Sequence, residues 1–275
     1  MTLPIAAIVL FAALLHASWN ALLKGTSDRL WSMTIMGIAT ALACAALLPF
    51  LPLPHGASWP YLVGSSILHI GYNIFLIRAY RSGEFGSAYP IARGSSPLLV
   101  TLGAATVAGE VPSAFGIAGI VLVSGGIISL AFRGRRLPEA GIFYALGTGL
   151  IIAAYSVTDG IGGRLSGSPV SYTLWMCLLW GLTAAPVYWL RRHDSHLWRG
   201  ARPTSAAALG GLVSLLAYGI VIFAMTRAPM GSVSALRETS VLFAVLLGRV
   251  FFAEPLTLRR IVSALVIAAG ALCLE

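Results

Sequence analysis

The sequence predicts an all-α integral membrane protein with ten transmembrane helices, built as two inverted five-helix repeats. Three observations carry that expectation. The chain is 58% hydrophobic and only 10% charged, with a mean hydropathy of +0.88; a soluble domain carries about 25% charged residues. Ten apolar segments fit along it, each near the roughly 20 residues that a spanning helix needs, and little chain is left for a soluble domain. Finally, one segment occurs twice. Ala92-Arg93-Gly94-Ser95-Ser96-Pro97-Leu98-Leu99 runs on to Gly109-Glu110, and Leu236-Arg237-Glu238-Thr239-Ser240-Val241-Leu242-Phe243 runs on to Ala253-Glu254. Arg93 and Arg237 each precede their glutamate by 17 residues, and Gly126 and Gly270 each follow it by 16, so one offset of 144 relates both stretches.

The first-half helices are expected at 3–23, 30–50, 60–80, 86–108 and 112–132. The second-half helices are expected at 139–159, 169–190, 204–226, 231–252 and 256–274. Turn chemistry separates them at Pro52-Leu53-Pro54-His55-Gly56, Arg81-Ser82-Gly83, Glu110-Val111-Pro112-Ser113 and Ser166-Gly167-Ser168-Pro169. Arg133-Gly134-Arg135-Arg136 joins the halves, giving repeats at 1–134 and 135–275 within one membrane domain. Five is odd, so the second copy enters the membrane from the opposite side, and a binding site is expected near the midplane between the copies. The first apolar stretch lacks a basic leader and a small-residue cleavage site before His16-Ala17-Ser18-Trp19-Asn20, and reads as a retained helix.

The net charge of +9 resides in short loops and sets topology; it does not point to nucleic acid. Loops after the odd-numbered helices hold fourteen of the cations, from Lys24 and Arg29 to Arg259 and Arg260, whereas the opposite loops hold Arg164 and Arg227. The positive-inside rule then puts both termini outside the cytoplasm of a multi-pass protein in the cell (inner) membrane. Cys44, Cys177 and Cys273 are far apart inside apolar runs and supply neither a disulfide framework nor a metal spacing. No P-loop or dinucleotide fingerprint is present, so no cofactor, no metal and no ATP-driven pump is expected.

The polar residues inside the apolar segments are the candidate site. His16 and Asn20 share one face of the first helix with Trp19 close by, which suits either a cavity wall or interhelical hydrogen bonding. His69, Tyr72 and Asn73 repeat that spacing in the third helix, and Tyr155, Thr158 and Asp159 do so in the sixth. Asp159 lies near its expected helix end and reads equally as a cavity residue or a solvated interfacial acid. Tyr218 in the eighth helix suits core or cavity. Arg93, Ser96 and Pro97 form the first-copy centre; Arg237, Glu238 and Ser240 form the second. Pro97 cannot donate to the carbonyl of Arg93, so a kink bearing an arginine and serines is expected there. Arginine's planar fork matches a carboxylate or phosphate, and structural pairing with a carboxylate elsewhere in the bundle is the competing role. Gly116, Gly119 and Gly126, and Ser263, Ala264, Ala268 and Gly270, suit close helix contact, either with each other or with a second protomer.

These features together, with Gly109-Glu110, Ala253-Glu254-Pro255 and the first-helix motif His16 to Lys24, resemble the EamA-type transporters of the drug/metabolite transporter superfamily over the whole chain. The second copy has Val241 where the family usually has a proline, which leaves unwinding there open. The resemblance implies a secondary transporter with no enzymatic activity. Such a protein is expected to export small metabolites, most readily amino acids, including aromatic or other apolar ones, across the bilayer as a monomer or homodimer. A permease for phosphorylated or phosphonate metabolites or drugs would use the same two arginines. A membrane enzyme finds no paired carboxylates, zinc-type histidine cluster or Ser-His-Asp set in these segments, and a non-transporting scaffold is the remaining class.

Overall fold

The structure is a computed structural model and describes residues 1–24, 26, 28–82, 85–131, 139–192, 197–253 and 255–274. Twelve α-helices stand among the described residues: α1 (Leu3–Lys24), α2 (Arg29–Leu47), α3 (Trp59–Ser82), α4 (Phe85–Ala108), α5 (Ala114–Ser129), α6 (Glu139–Leu165), α7 (Pro169–Leu182), α8 (Ala184–Arg191), α9 (Ala201–Met225), α10 (Met230–Glu238), α11 (Ser240–Phe252) and α12 (Leu258–Leu272). They run as ten rods, because α7–α8 and α10–α11 are each interrupted at a single threonine. Among the described residues, seven spans are long and apolar enough to cross a membrane. Side chains of leucine, valine and phenylalanine, such as Leu102, Phe115 and Leu265, cover the outer surface, which suits a bilayer.

Local chemistry starts the helices where the turns are. Asp28 accepts the amide of Trp31 at the start of α2, and Ser113 accepts that of Gly116 on α5. Ser168 caps α7 with Pro169 in the first turn, and Thr257 caps α12. Each such oxygen satisfies one amide that the helix leaves free.

The packing between rods has a regular pattern. α3 packs on α6 and α1 on α9; α4 packs on α6 and α1 on α10 and α11; α2 packs on α9 and α3 on α7. α2 meets α7, α4 meets α10, and α5 meets α12. Exchanging the first five rods for the last five maps these pairs onto one another. The small-residue faces of α5 and α12 meet within the chain. A Cβ on Gly119 would stand 2.7 Å from the carbonyl of Gly270, and one on Gly270 would stand 2.9 Å from the carbonyl of Gly119. Glycine at both places lets the two backbones touch.

Three expectations are corrected. α6 extends to Leu165, six residues beyond its expected end. The seventh rod is broken at Thr183. The arginine segments behave oppositely to their proline content: α4 continues as helix through Pro90 and Pro97, whereas the copy without proline breaks at Thr239. The reason is local. The Thr239 hydroxyl bonds the Leu236 carbonyl at 2.6 Å and its amide bonds the same group at 3.1 Å, while Leu242 N–H donates to Thr239 O. These i→i−3 bonds tighten the turn and interrupt the α ladder.

Candidate functional site

α4 and α10 cross where their arginines lie, and that crossing builds a charged centre. Arg93 is 4% exposed, Arg237 3% and Glu238 fully buried. Arg93 Nε stands 2.7 Å from Glu238 Oε2, and Arg237 Nη2 donates to Glu238 Oε1 at 3.1 Å. One carboxylate therefore serves two guanidiniums, one from each half. Charges taken this far from water persist only with partners. Arg93 also donates from Nη2 to His16 Nε2 at 3.0 Å. Arginine has no acceptor, so Nε2 accepts and the His16 ring is neutral. The Tyr89 ring lies 5.8 Å beneath the Arg93 guanidinium. Ser96 Oγ, Ser234 Oγ and Arg237 Nε are buried and make no hydrogen bond within the described residues. Such groups carry polar capacity that the fold leaves unused. Pro97 is buried on the helix of Arg93, and Ser240 is buried at the start of α11, just past the break that follows Arg237 and Glu238.

A second cluster lies along α6. The rings of His69 and Tyr155 stack with centroids 4.1 Å apart. Tyr218 meets both edge-on, and Tyr72 meets Tyr155 edge-on at 6.0 Å. Asp159 closes the far end of this cluster. It is fully buried, and it accepts the phenol of Tyr172 at 2.9 Å and that of Tyr218. The interfacial reading of Asp159 is thereby corrected, because the extra length of α6 carries the solvent boundary past it.

The remaining candidates divide. Trp19 lies edge-on to His16 with centroids 5.0 Å apart, and both are half-buried. Asn20 returns its amide to the His16 carbonyl at 2.8 Å, and Thr158 returns its hydroxyl to the Ala154 carbonyl at 2.8 Å, so both are satisfied within their own helices. The Asn73 side chain and Glu254 lie outside the described residues.

Tyr172, Ser65, Tyr89 and Arg164 are neighbours that sequence reasoning did not single out. Arg164 counted there only as a loop charge. It pairs with Glu110 and donates to the carbonyls of Met225 and Ala228, while Glu110 accepts the Met230 amide at 2.9 Å. This clamp ties the end of α4 to the ends of α6 and α9 and to the start of α10. At the opposite end of the rods, Asp28 takes Arg192 at 3.1 Å and Arg199 at 2.9 Å. Against partial burial, which raises it, the Trp31 amide and these two guanidiniums hold the Asp28 carboxyl below its ordinary range.

Residues 139–274 match the model of the EamA-like transporter family. The second half is an EamA-like transporter domain. It contributes Tyr155, Asp159, Tyr172, Tyr218, Arg237 and Glu238 to the clusters above. A solved crystal structure, titled only as that of a protein, aligns with 98% of this chain and 94% of its own, with a TM-score of 0.77 and 20% identity. The fold of the EamA-like half and of the half before it is thus that of a known structure. No curated protein sequence matches the chain. The match of the second half to this family and the apolar helices support a multi-pass membrane protein.

Proposed function

We propose that this protein is a secondary transporter that exports small carboxylate-bearing metabolites, amino acids foremost, by alternating access. The observation that carries the reading is the shared carboxylate of Glu238. Two buried guanidiniums on one carboxylate leave donor capacity over, with Arg237 Nε unsatisfied and Ser96 and Ser234 hydroxyls free of bonds within the described residues. A substrate carboxylate entering there gains the bidentate geometry that arginine offers. The rings of Tyr72, Tyr155 and Tyr218 stand nearby as walls for an apolar or aromatic side chain.

The two halves act as inverted repeats in this proposal. The pattern of rod packing that maps onto itself supports it, as does the seam where the matched Gly126 and Gly270 lie in the same α5–α12 interface. Inverted repeats alternate access by exchanging conformations about a central site. The clusters of α1 and α6 occupy equivalent places and serve as the two gates. His16 and Trp19 are half-buried while Tyr155 is 6% exposed, which fits a state closed on the α6 side and looser on the α1 side. Loop charges put the α1 side in the cytoplasm and both termini outside the inner membrane.

Efflux from proteoliposomes preloaded with a panel of amino acids, organic acids and phosphorylated metabolites tests the reading. Saturable efflux of amino acids above protein-free vesicles is expected. Efflux of phosphorylated compounds alone would replace the substrate class, and no efflux of any compound would leave a scaffold.

A further inference from the structure

The charged centre and Asp159 together form a balanced set. Arg93 and Arg237 carry two positive charges, and Glu238 and Asp159 can carry two negative ones, all within buried protein. His16 is neutral by the direction of its bond from Arg93. Among the described residues no lysine or arginine lies within ion-pair distance of Asp159. Its oxygens are held by two neutral phenols, those of Tyr172 and Tyr218. A carboxylate held by neutral donors is the member of this set that can change charge without breaking an ion pair. Arg93 and Arg237 keep their protons, and Glu238 has both guanidiniums in contact.

We infer that Asp159 is a proton-binding site whose occupancy is linked to binding of a net-anionic carboxylate at the arginine pair. The inference rests on the carboxylate reading of that pair. A substrate anion placed between the arginines adds one negative charge to a set that is already balanced. Unscreened charge in a low-dielectric interior is costly, and one proton on Asp159 restores the balance. The proton is also the ligand that this place admits: both oxygens are fully buried and already held by phenols, so nothing larger enters without moving them. The proton adds to one carboxylate oxygen, and no other bond breaks. The phenol that donated to that oxygen turns and accepts from the new O–H, since a hydroxyl can do either.

The other titratable groups facing Asp159 do not take this role as readily. On α6, Tyr155 is a phenol, and Arg164 is committed to Glu110. On α3, His69 stacks on Tyr155 and its Nδ1 donates to the Ser65 carbonyl at 2.9 Å, so its Nε2 is the competing proton acceptor, which Asp159→Asn tells apart from Asp159; Tyr72 is a phenol. On α7, Cys177 and Tyr172 are neutral acids, as is Tyr218 on α9. Arg93 on α4 and Arg237 with Glu238 on α10 are paired with each other. His55, which caps the 3₁₀ turn before α3, lies against Gly167 beyond the end of α6.

Linkage is reciprocal: a proton that favours anion binding is itself bound more tightly when the anion is present. Proton and carboxylate then cross together, and net flux runs outward whenever the internal pool of the metabolite outweighs the opposing proton gradient.

The test is calorimetric titration of the purified full chain with two ligands of one shape, leucine and 4-methyl-2-oxopentanoate, in buffers of different ionisation enthalpy across a pH series. The oxo acid lacks the ammonium. Its binding is expected to take up close to one proton, and its affinity to fall about tenfold per pH unit on the alkaline side. Leucine brings its own cation and is expected to take up clearly less. Asp159→Asn is expected to bind the oxo acid without proton uptake and without that pH dependence. If this variant fails to fold, absence of proton uptake in wild type still overturns the linkage. Oxo-acid binding with no proton uptake, or equal uptake by wild type and Asp159→Asn, would overturn the linkage. Binding of leucine alone would overturn it too and leave the amino-acid reading standing. Binding of neither ligand would overturn the carboxylate reading and the linkage together.

Discussion

Arg93 reaches from the first half of the chain to Glu238 in the second, with Nε 2.7 Å from Oε2, and by the offset of 144 the position that matches Glu238 is Gly94. The duplicated segment is therefore symmetric in its arginines and asymmetric in its carboxylate, and one glutamate serves both.

Removing that glutamate should be costly. Glu238→Gln leaves two guanidiniums buried together without a counter-charge, and breaking a buried pair in this way costs about 3–5 kcal/mol. Thermal unfolding of the variant in detergent is expected at a clearly lower temperature than wild type. An unchanged unfolding temperature would mean that solvent reaches this centre.

The α5–α12 seam makes a sharper prediction because it comes with its own control. Gly119→Ala places a methyl 2.7 Å from the carbonyl of Gly270, and overpacking of this kind costs about 1–3 kcal/mol. Gly125→Ala meets nothing within 4 Å and should be neutral or stabilising by up to about 1 kcal/mol. Denaturation of both variants checks the pair, and equal effects would rule out the close approach.

This seam and the charged centre show how far the sequence carries. The arginines, the glutamates and the matched glycines were legible, because each is a rare residue type at a fixed offset in an apolar background. The partner of each was not. Nothing in the sequence says that Arg93 meets Glu238, or that Tyr172, thirteen residues past Asp159, turns back to it across the α6–α7 turn. Asp159 stayed open between cavity and interface in the sequence because α6 runs six residues beyond its expected end, through Gly160-Ile161-Gly162-Gly163, residues that pack on Met230, Tyr172 and Ile222. Unwinding in the second copy was left open, and the break at Thr239 was not placed, because proline, the usual signal, stands in the other copy.

At the membrane edge, the ion pairs of Asp28 give a pH dependence of definite sign. Its folded-state pKa is depressed, so the stabilisation is complete above the unfolded value, near 3.9, and is lost as pH falls through the folded one. Cleavage of the chain at Arg199 by a protease active in acid is expected to rise below that range in wild type. In Asp28→Asn it should be raised already at neutral pH. Cleavage that rises equally with acid in both would assign the effect to another group.

Orientation follows from the loops. In the proposed topology, fourteen loop cations on one side against two on the other favour both termini outside the cytoplasm. A C-terminal reporter active only in the cytoplasm is expected to be silent. With that topology, a membrane-impermeant thiol reagent applied outside should label Tyr155→Cys and spare Trp19→Cys, and bound substrate should change the rate. Labelling of Trp19→Cys from outside would reverse the gates.

The most direct test of the account is the affinity of Arg93 variants for an amino acid in reconstituted vesicles. Arg93→Ala should insert and yet weaken binding by about 2–5 kcal/mol, the scale of deleting one partner of a desolvated charge pair. Arg93→Lys should recover part of it, because an ammonium keeps the charge and lacks the planar fork. Wild-type affinity in both variants would make Arg93 a structural partner of Glu238 and contradict its role in holding the substrate.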